Sequence, residues 1–303
     1  MGAAPWWAAA TAALLTLSGG AAALKFWADD RRTDQSLAAR VATIQDIPAD
    51  SRSCDTWLAG RMPLVLVAMG QSNAGNHGDL PAQPAGTQAK PIPVLHQGRC
   101  VLAQDPLPGA TGQGASVWSA LHQRLGGQWN GRPIVWMVVA VDGTRLDDWT
   151  DDQSPLRRWW ERQIDATVAT GWPIAAVLWQ QGEADARQGT STEDYMHGLR
   201  QLRALTEAHG LPGPWWLARS TYCPPVATDP MRKAVRQAVE DLLEEPTSGF
   251  RAGPDTDALP RTMRNGCHFT AEGVEAAAAL WQQALVGQRP GPSSAPSGIS
   301  PRS

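Results

Sequence analysis

Four continuous apolar runs divide the chain into the alternating pattern of an α/β protein. We predict strands over Pro63–Met69, Pro133–Val141, Ile174–Trp179 and Trp215–Ser220. Continuous apolar runs of this length are typical of strands buried on both faces. Apolar residues at helical spacing predict helices over Ser116–Leu125, Leu156–Thr170, Thr192–His209, Met231–Leu243 and Thr270–Val286. The alternation predicts one α/β domain, residues 54–286, in which a mainly parallel sheet is covered by helices on both faces.

The two ends of the chain have a different character from this domain. Residues 1–24 contain an uncharged stretch rich in Ala and Leu, which predicts a signal peptide or a membrane anchor. No Lys or Arg precedes the stretch, whereas Lys25 and Arg31 follow it, which is unusual for a signal peptide. We interpret residues 25–53 as a polar tether and residues 287–303, rich in Pro, Ser and Gly, as a disordered tail.

Composition narrows the possible partners and the compartment. The net charge of −3 provides no basic field, so nucleic acid is a poor candidate partner. The four cysteines form no Cys-x-x-Cys pair, and their even number fits two disulfides in an exported protein. We therefore expect a periplasmic or extracellular location, with membrane attachment through the N-terminal segment as a further option. The 15 Trp residues fit either a core or a sugar-binding cleft.

Polar clusters follow three of the predicted strands. Ser72, Gly143 and Gln181 each lie just beyond an apolar run, and His268 lies in a loop before the last helix. The carboxyl ends of strands in an open α/β sheet face one ligand crevice. Acyl transfer needs a nucleophile, a base within hydrogen-bond reach and fixed donors for the oxyanion, and these residue types can supply all three.

These clusters also resemble the sequence blocks of a known superfamily. Gly70-Gln71-Ser72-Asn73, the Gly143-Thr144 turn, the segment Trp179–Asp185 and the late Gly266-Cys267-His268-Phe269-Thr270 occur in the same order as the blocks of SGNH hydrolases. They are most similar to the sialate O-acetylesterase-like branch, which includes carbohydrate esterase family 6. The similarity covers roughly Pro63–Leu285. It implies a three-layer α/β/α fold with a flavodoxin-like central sheet.

The resemblance also implies roles for individual residues. Ser72 would be the nucleophile and His268 the general base. The N–H groups of Ser72 and Gly143 and the side-chain amide of Gln181 would form the oxyanion hole. Neither a metal nor a cofactor is implied. Glu183 and Asp185 match positions of the family block, and we favour a role in supporting the loop.

The chain departs from the family pattern at the residue that orients the histidine. The family has Asp-x-x-His, whereas this chain has Asn265 three residues before His268. Three interpretations follow. Asn265 orients the histidine through its oxygen, as in Cys-His-Asn sites. Alternatively, Asp255, Asp257 or Glu183 supplies the missing carboxylate. In the third, catalysis has been lost and a ligand cleft remains.

The cysteines can pair in three ways. We predict Cys54–Cys100, which would tie the start of the domain to the early loop, and Cys223–Cys267, which would fix the loop that carries His268.

The leading functional hypothesis is a serine esterase that removes acetyl groups, or other small acyl groups, from a carbohydrate. An acetyltransferase that uses the same serine is the alternative among enzymes. A glycan-binding protein with impaired catalysis is the alternative suggested by Asn265.

Overall fold

The computed structural model describes residues 37–81, 90–224 and 228–287, and the structural statements below refer to these residues. The predicted leader segment 1–24 and residues 288–303 of the predicted tail lie outside them. The strands are β1 (Arg52–Ser53), β2 (Leu64–Gly70), β3 (Ile92–His96), β4 (Arg99–Ala103), β5 (Gln128–Trp129), β6 (Arg132–Ala140), β7 (Ile174–Gln180), β8 (Trp215–Arg219), β9 (Phe250–Asp255), β10 (Arg264–Asn265) and β11 (His268–Phe269).

The main helices alternate with the long strands. They are α1 (Asp55–Leu58), α2 (Val117–Arg124), α3 (Leu146–Thr150), α4 (Pro155–Val168), α5 (Glu183–Gln188), α6 (Thr192–Ala208), α7 (Asp229–Glu244) and α8 (Ala271–Gly287). Short 3-10 turns cover Ser72–Ala74, Thr256–Ala258 and Arg261–Met263.

Strand β2 lies at the centre of the sheet, where the direction of chain winding reverses. The sheet order in the described chain is β1-β4-β3-β6-β2-β7-β8-β9, with β5 paired to β6. Strands β6, β2, β7, β8 and β9 run parallel, so the chain places β6 on one side of β2 and β7 on the other. This is the flavodoxin-like winding, and its ligand crevice opens at the carboxyl end of the first strand of the series, here β2.

Alternation of side chains along the strands creates two separate cores. Val65, Val67 and Met69 of β2 belong to the core that packs under α4, α6 and α7. Leu66 and Ala68 belong to the core under α2 and α8. Because successive strand residues face opposite sides of a sheet, one continuous apolar run supplies both cores. The predicted three-layer α/β/α architecture is confirmed.

Tryptophan belongs mainly to these cores. Eight tryptophans are among the largest fully buried side chains: Trp118, Trp136, Trp149, Trp160, Trp179, Trp215, Trp216 and Trp281. Every tryptophan in the described ranges is buried or half-buried. The sugar-cleft interpretation of the tryptophan content therefore has no support from these residues.

The N-terminal flank of the domain differs from its prediction as a tether. Leu37 is buried in the core under α4, and strand β1 extends the sheet by pairing with β4. The backbone of Gln45 exchanges hydrogen bonds with that of Ala110 and Gly109, at 3.0 and 2.9 Å. The folded unit thus begins at or before Leu37 rather than at Cys54. The polar composition of this segment concealed its few buried contacts.

Both predicted disulfides, Cys54–Cys100 and Cys223–Cys267, are present. Disulfides persist in oxidising compartments, so the pairs fit a periplasmic or extracellular protein. Across residues 37–81, 90–224 and 228–287, no helix has both the length and the apolar character required to span a membrane.

Candidate active site

The site begins with a tight turn at the carboxyl end of β2. Gly70 has φ +147°, and a Cβ on it would lie 2.1 Å from the carbonyl oxygen of Gln180 on β7. Only glycine fits this approach. The chain then enters the 3-10 turn Ser72–Ala74, which is fixed by a backbone hydrogen bond from Gly75 to Ser72 O at 2.9 Å. Ser72 is therefore held at the reversal point of the sheet.

A side-chain amide joins the Ser72 turn to the His268 hairpin. Asn73 Nδ2 donates to the carbonyl oxygen of Cys267 at 3.0 Å and to Glu183 Oε1 at 2.7 Å. Strand β11, which begins with His268, also packs against the 3-10 turn, with Cα atoms within 8 Å. Asn73, which follows the candidate nucleophile, thus binds Cys267, which precedes the candidate base.

Glu183 stabilises this connection through its buried carboxyl group. Its Oε1 accepts hydrogen bonds from Asn73 and from the Ser220 hydroxyl, the latter at 2.7 Å, and the residue is 1% exposed. Burial raises the pKa of the Glu183 carboxyl to about 7, although these hydrogen bonds and the Arg264 charge oppose the shift. The arrangement supports the interpretation of Glu183 as a structural residue of the loop.

His268 is half-buried beside a second imidazole. The rings of His268 and His77 have centroids 5.0 Å apart. Burial lowers the pKa of His268, and the charge of Arg264 lowers it further, whereas Asp142 and Asp79 act in the opposite direction. A lowered pKa keeps the imidazole neutral at neutral pH, which a general base requires.

None of the sequence candidates for orienting His268 forms a hydrogen bond with it among the described residues. Asn265 pairs with His268 across the β10–β11 hairpin, but it is exposed, and no hydrogen bond joins the two side chains. Asp255 binds Arg236 at 2.7 Å, and Asp257 accepts from Thr221 at 2.6 Å. Glu183 is committed to Asn73. Each of the three carboxylates thus has other partners among the described residues, and a role for one of them behind His268 stays a prediction.

Two acidic residues that the sequence analysis did not select do influence His268. Asp142 lies two residues beyond the end of β6 and acts electrostatically on both His268 and His77. Asp79 follows the Ser72 loop, and its backbone N–H donates to the Phe269 carbonyl at 2.9 Å. Asp142 could have been found from its position at a strand end, next to Gly143. Asp79 had no such signal.

The Gly143 turn lies one strand away from Ser72. Gly143 has φ +63°, a left-handed conformation that favours glycine. The turn is held by Asp142 N donating to Thr111 Oγ1 at 3.0 Å and by Thr144 Oγ1 donating to the Val141 carbonyl at 2.8 Å. In the described part of the chain, the backbone N–H groups of Ser72 and Gly143 have no acceptor. They remain available to an oxyanion.

Gln181 occupies the expected strand end but has no free donor. Its Nε2 donates to the Thr144 carbonyl at 2.9 Å and to Asp185 Oδ2 at 2.5 Å, and its Oε1 accepts from the Tyr195 hydroxyl at 2.8 Å. An amide nitrogen carries two hydrogens, and both are used. In this structure both hydrogens of the amide are therefore directed at protein acceptors, and its predicted place in the oxyanion hole stays a prediction. The bond to Thr144 fixes the backbone that follows Gly143.

Asp185 is part of the same buried support. It accepts hydrogen bonds from Gln181 and from the Leu146 backbone N–H, the latter at 3.0 Å. Burial raises its pKa to about 6. The favoured structural interpretation of Asp185 agrees with these contacts. Among the described residues, no group of three His, Cys, Asp or Glu side chains is arranged to hold a metal ion.

Comparison with known proteins places the chain in a family. Residues 63–215, half of the chain, match the family described as "Carbohydrate esterase, sialic acid-specific acetylesterase". No curated protein matches the chain.

Solved structures share the fold at low sequence identity. A protein from Arabidopsis thaliana has a TM-score of 0.60 and 20% identity, with 74% of this chain and 98% of that chain covered. NanS has a TM-score of 0.52 and 14% identity, with coverages of 75% and 98%. XAC1771, a carbohydrate acetylesterase from Xanthomonas citri, has a TM-score of 0.52 and 15% identity, with coverages of 74% and 57%. By the match over residues 63–215, the chain belongs to the sialic acid-specific acetylesterase family of carbohydrate esterases, which are carboxylic ester hydrolases.

Proposed function

We propose that the protein hydrolyses O-acetyl esters of a carbohydrate through an acyl-serine intermediate on Ser72. The observation that carries the proposal is the convergence of Ser72, two free backbone N–H groups and the His268 hairpin at the reversal point of the sheet. Family membership supports acetyl esterase activity, and the resemblance to acetylated-sugar esterases supports a carbohydrate substrate.

In the first half-reaction, Ser72 Oγ attacks the acetyl carbonyl and His268 accepts the hydroxyl proton. The N–H groups of Ser72 and Gly143 stabilise the negative charge that forms on the carbonyl oxygen. Collapse of the tetrahedral intermediate breaks the ester bond, and His268 returns the proton to the sugar hydroxyl that leaves. The second half-reaction repeats these steps with water, releasing acetate and regenerating Ser72.

The histidine in this proposal works as part of a Ser–His dyad. No carboxylate among the described residues hydrogen-bonds His268, so the imidazolium formed during attack is stabilised at longer range by Asp142 and Asp79. A charge that acts without a hydrogen bond stabilises the imidazolium less and does not select its tautomer. We expect turnover to be slower than that of an enzyme with a complete Ser-His-Asp triad.

The test compares p-nitrophenyl acetate hydrolysis by the wild type, Ser72→Ala and His268→Ala. Ser51→Ala is the control, since Ser51 lies near strand β1 at the sheet edge and away from the site. We expect Ser72→Ala and His268→Ala to lose roughly three or more orders of magnitude in kcat, with Ser51→Ala unchanged. A Ser72→Ala protein as active as the wild type would refute the proposal.

A second measurement addresses the acyl-enzyme and its acceptor. Acid quenching followed by peptide mass spectrometry should find the acetyl group on the peptide that contains Ser72. Product analysis with an O-acetylated sialic acid and a free sugar acceptor then separates hydrolysis from transfer. Acetate as the main product supports the esterase, whereas acetylated acceptor would identify an acetyltransferase. Binding of the sugar without turnover would identify the glycan-binding alternative suggested by Asn265.

A further inference from the structure

The N-terminal segment that precedes the sheet reaches the Gly143 turn. Residues 37–41 form a helical turn anchored by Leu37 in the core, and the backbone of Gln45 pairs with Gly109 and Ala110. Between these two anchors, the guanidinium of Arg40 crosses to the end of β6. Its Nη1 donates to the carbonyl oxygen of Asp142 at 2.7 Å. The segment is thus attached on both sides of Arg40.

A side chain at position 143 would displace the Arg40 guanidinium from its place in this structure. A Cβ on Gly143 would lie 2.6 Å from Arg40 Nη1. The left-handed backbone at φ +63° independently favours glycine. The absence of a side chain at residue 143 thus leaves room for the guanidinium in its observed position.

The acceptor of the Arg40 hydrogen bond belongs to the peptide group that also carries the Gly143 N–H. The carbonyl of Asp142 and the N–H of Gly143 lie in one plane and point in opposite directions, because the peptide bond is trans and rigid. Holding the carbonyl oxygen therefore fixes the direction of the N–H. A charged donor on the oxygen also polarises the peptide group and makes its N–H a stronger donor.

We infer that Arg40 is a positioning residue for the oxyanion hole: its hydrogen bond to the Asp142 carbonyl aims and strengthens the Gly143 N–H. Arg40 itself does not touch the reacting atoms. The inference rests on the proposed function, since it assigns Gly143 as an oxyanion donor. It also gives the segment predicted as a tether an indirect part in the reaction, through the Asp142 carbonyl.

The experiment compares Arg40→Met and Arg40→Lys with Arg61→Met. Arg61 is a matched control because it also donates to backbone carbonyls, those of Leu58 and Trp57, but it lies before the amino end of β2. Loss of a whole oxyanion donor reduces kcat by about 10²- to 10³-fold. We expect misalignment of one donor to lower the kcat of Arg40→Met roughly 10- to 100-fold, with little change in KM.

Two further readouts distinguish positioning from a general structural effect. The inhibition constant of phenylboronic acid, which forms a tetrahedral adduct with an active-site serine, should weaken by about the same factor as kcat in Arg40→Met. Arg40→Lys should recover part of both losses, because an ammonium group can still donate to the carbonyl. Rates are expressed per folded molecule from thermal unfolding curves, so partial unfolding cannot imitate the result.

The outcomes separate this inference from the proposed function. If Ser72→Ala is inactive and Arg40→Met keeps kcat within about twofold of the wild type, the inference is overturned and the proposed function stands. A fall in kcat without weaker boronate binding would also overturn it. If Ser72→Ala is as active as the wild type, the proposed function fails, and the role of Arg40 fails with it.

Discussion

The two disulfides close loops of similar length, and only one of them is attached to the His268 hairpin. Comparing their removal therefore tests whether the position of this hairpin matters for catalysis. Cys223–Cys267 closes a loop with a sequence separation of 44, and Cys54–Cys100 closes one of 46. In the chain-entropy treatment, each cross-link of this length stabilises the fold by about 4 kcal/mol at 25 °C. The double variants Cys223→Ser/Cys267→Ser and Cys54→Ser/Cys100→Ser should therefore lose nearly equal stability.

Their effects on catalysis should differ. Cys267 directly precedes His268, and its carbonyl accepts hydrogen bonds from Asn73 and Arg264, at 3.0 and 2.9 Å. Without the disulfide, the hairpin is held by these bonds, by the bond from the Asp79 N–H to the Phe269 carbonyl and by the short β10–β11 pairing. At the other bridge, Cys54 N also donates to Cys100 O at 3.1 Å, so backbone pairing keeps that edge in place.

We expect Cys223→Ser/Cys267→Ser to lose roughly tenfold or more in kcat/KM on p-nitrophenyl acetate, since small displacements of a catalytic group have effects of this size. Cys54→Ser/Cys100→Ser should keep nearly full activity. Urea unfolding gives the stability of each variant, and kinetics are measured well below both melting temperatures. Equal losses of activity in both variants, or none in either, would refute the view that the disulfide at Cys267 positions His268.

Three further predictions concern the charges around the site. Burial raises the pKa of Glu183 from 4.5 in the unfolded chain to about 7 in the folded chain. Between these values the unfolded chain loses the proton first, so the free energy of unfolding should fall as pH rises from about 4.5 to 7. Glu183→Gln should reduce this fall by about 3 kcal/mol, measured by urea unfolding at several pH values, and an unchanged slope would contradict the assignment. Asp142→Asn should move the acidic limb of the pH–rate profile to lower pH, because the negative charge of Asp142 favours protonated His268. The same substitution should also lower kcat roughly tenfold. An acidic limb at the same pH as in the wild type would count against an electrostatic role of Asp142. Asn265→Asp places a carboxylate opposite His268, so it should raise kcat and shift the acidic limb of the pH–rate profile to higher pH. An unchanged kcat would show that a carboxylate at position 265 does not assist His268.

Much of the fold followed from local pattern. The four long apolar runs predicted β2, β6, β7 and β8 to within a residue or two at each end, because a strand buried on both faces has no polar positions. Strand β9 was missed. Its sequence, Phe-Arg-Ala-Gly-Pro-Asp, contains one large apolar residue, and the strand lies at the edge of the sheet, where it needs little apolar surface.

The site was predicted less completely, because the partners of its side chains come from residues that are distant in the chain. Ser72, Gly143 and Gln181 do lie at neighbouring strand ends, as the pattern of the chain suggested. The sequence could not show that the side-chain amide of Gln181 would form hydrogen bonds with Tyr195 and Asp185. Arg40 was equally hidden, since an arginine in a polar segment has no local feature that distinguishes it from a solvated one.

The hydrogen bond from Asn73 to Cys267 spans 194 positions of the chain, so the order of synthesis affects when the site can form. A ribosome adds β2, β6, β7 and β8 before it adds the hairpin and α8. Contacts with such large sequence separation form late, because the loop between them must close first. A nascent or truncated chain that ends before His268 therefore carries the serine turn without its base. Since the disulfide Cys223–Cys267 also ties the hairpin to the segment after β8, we expect full activity only after the finished chain meets an oxidising environment.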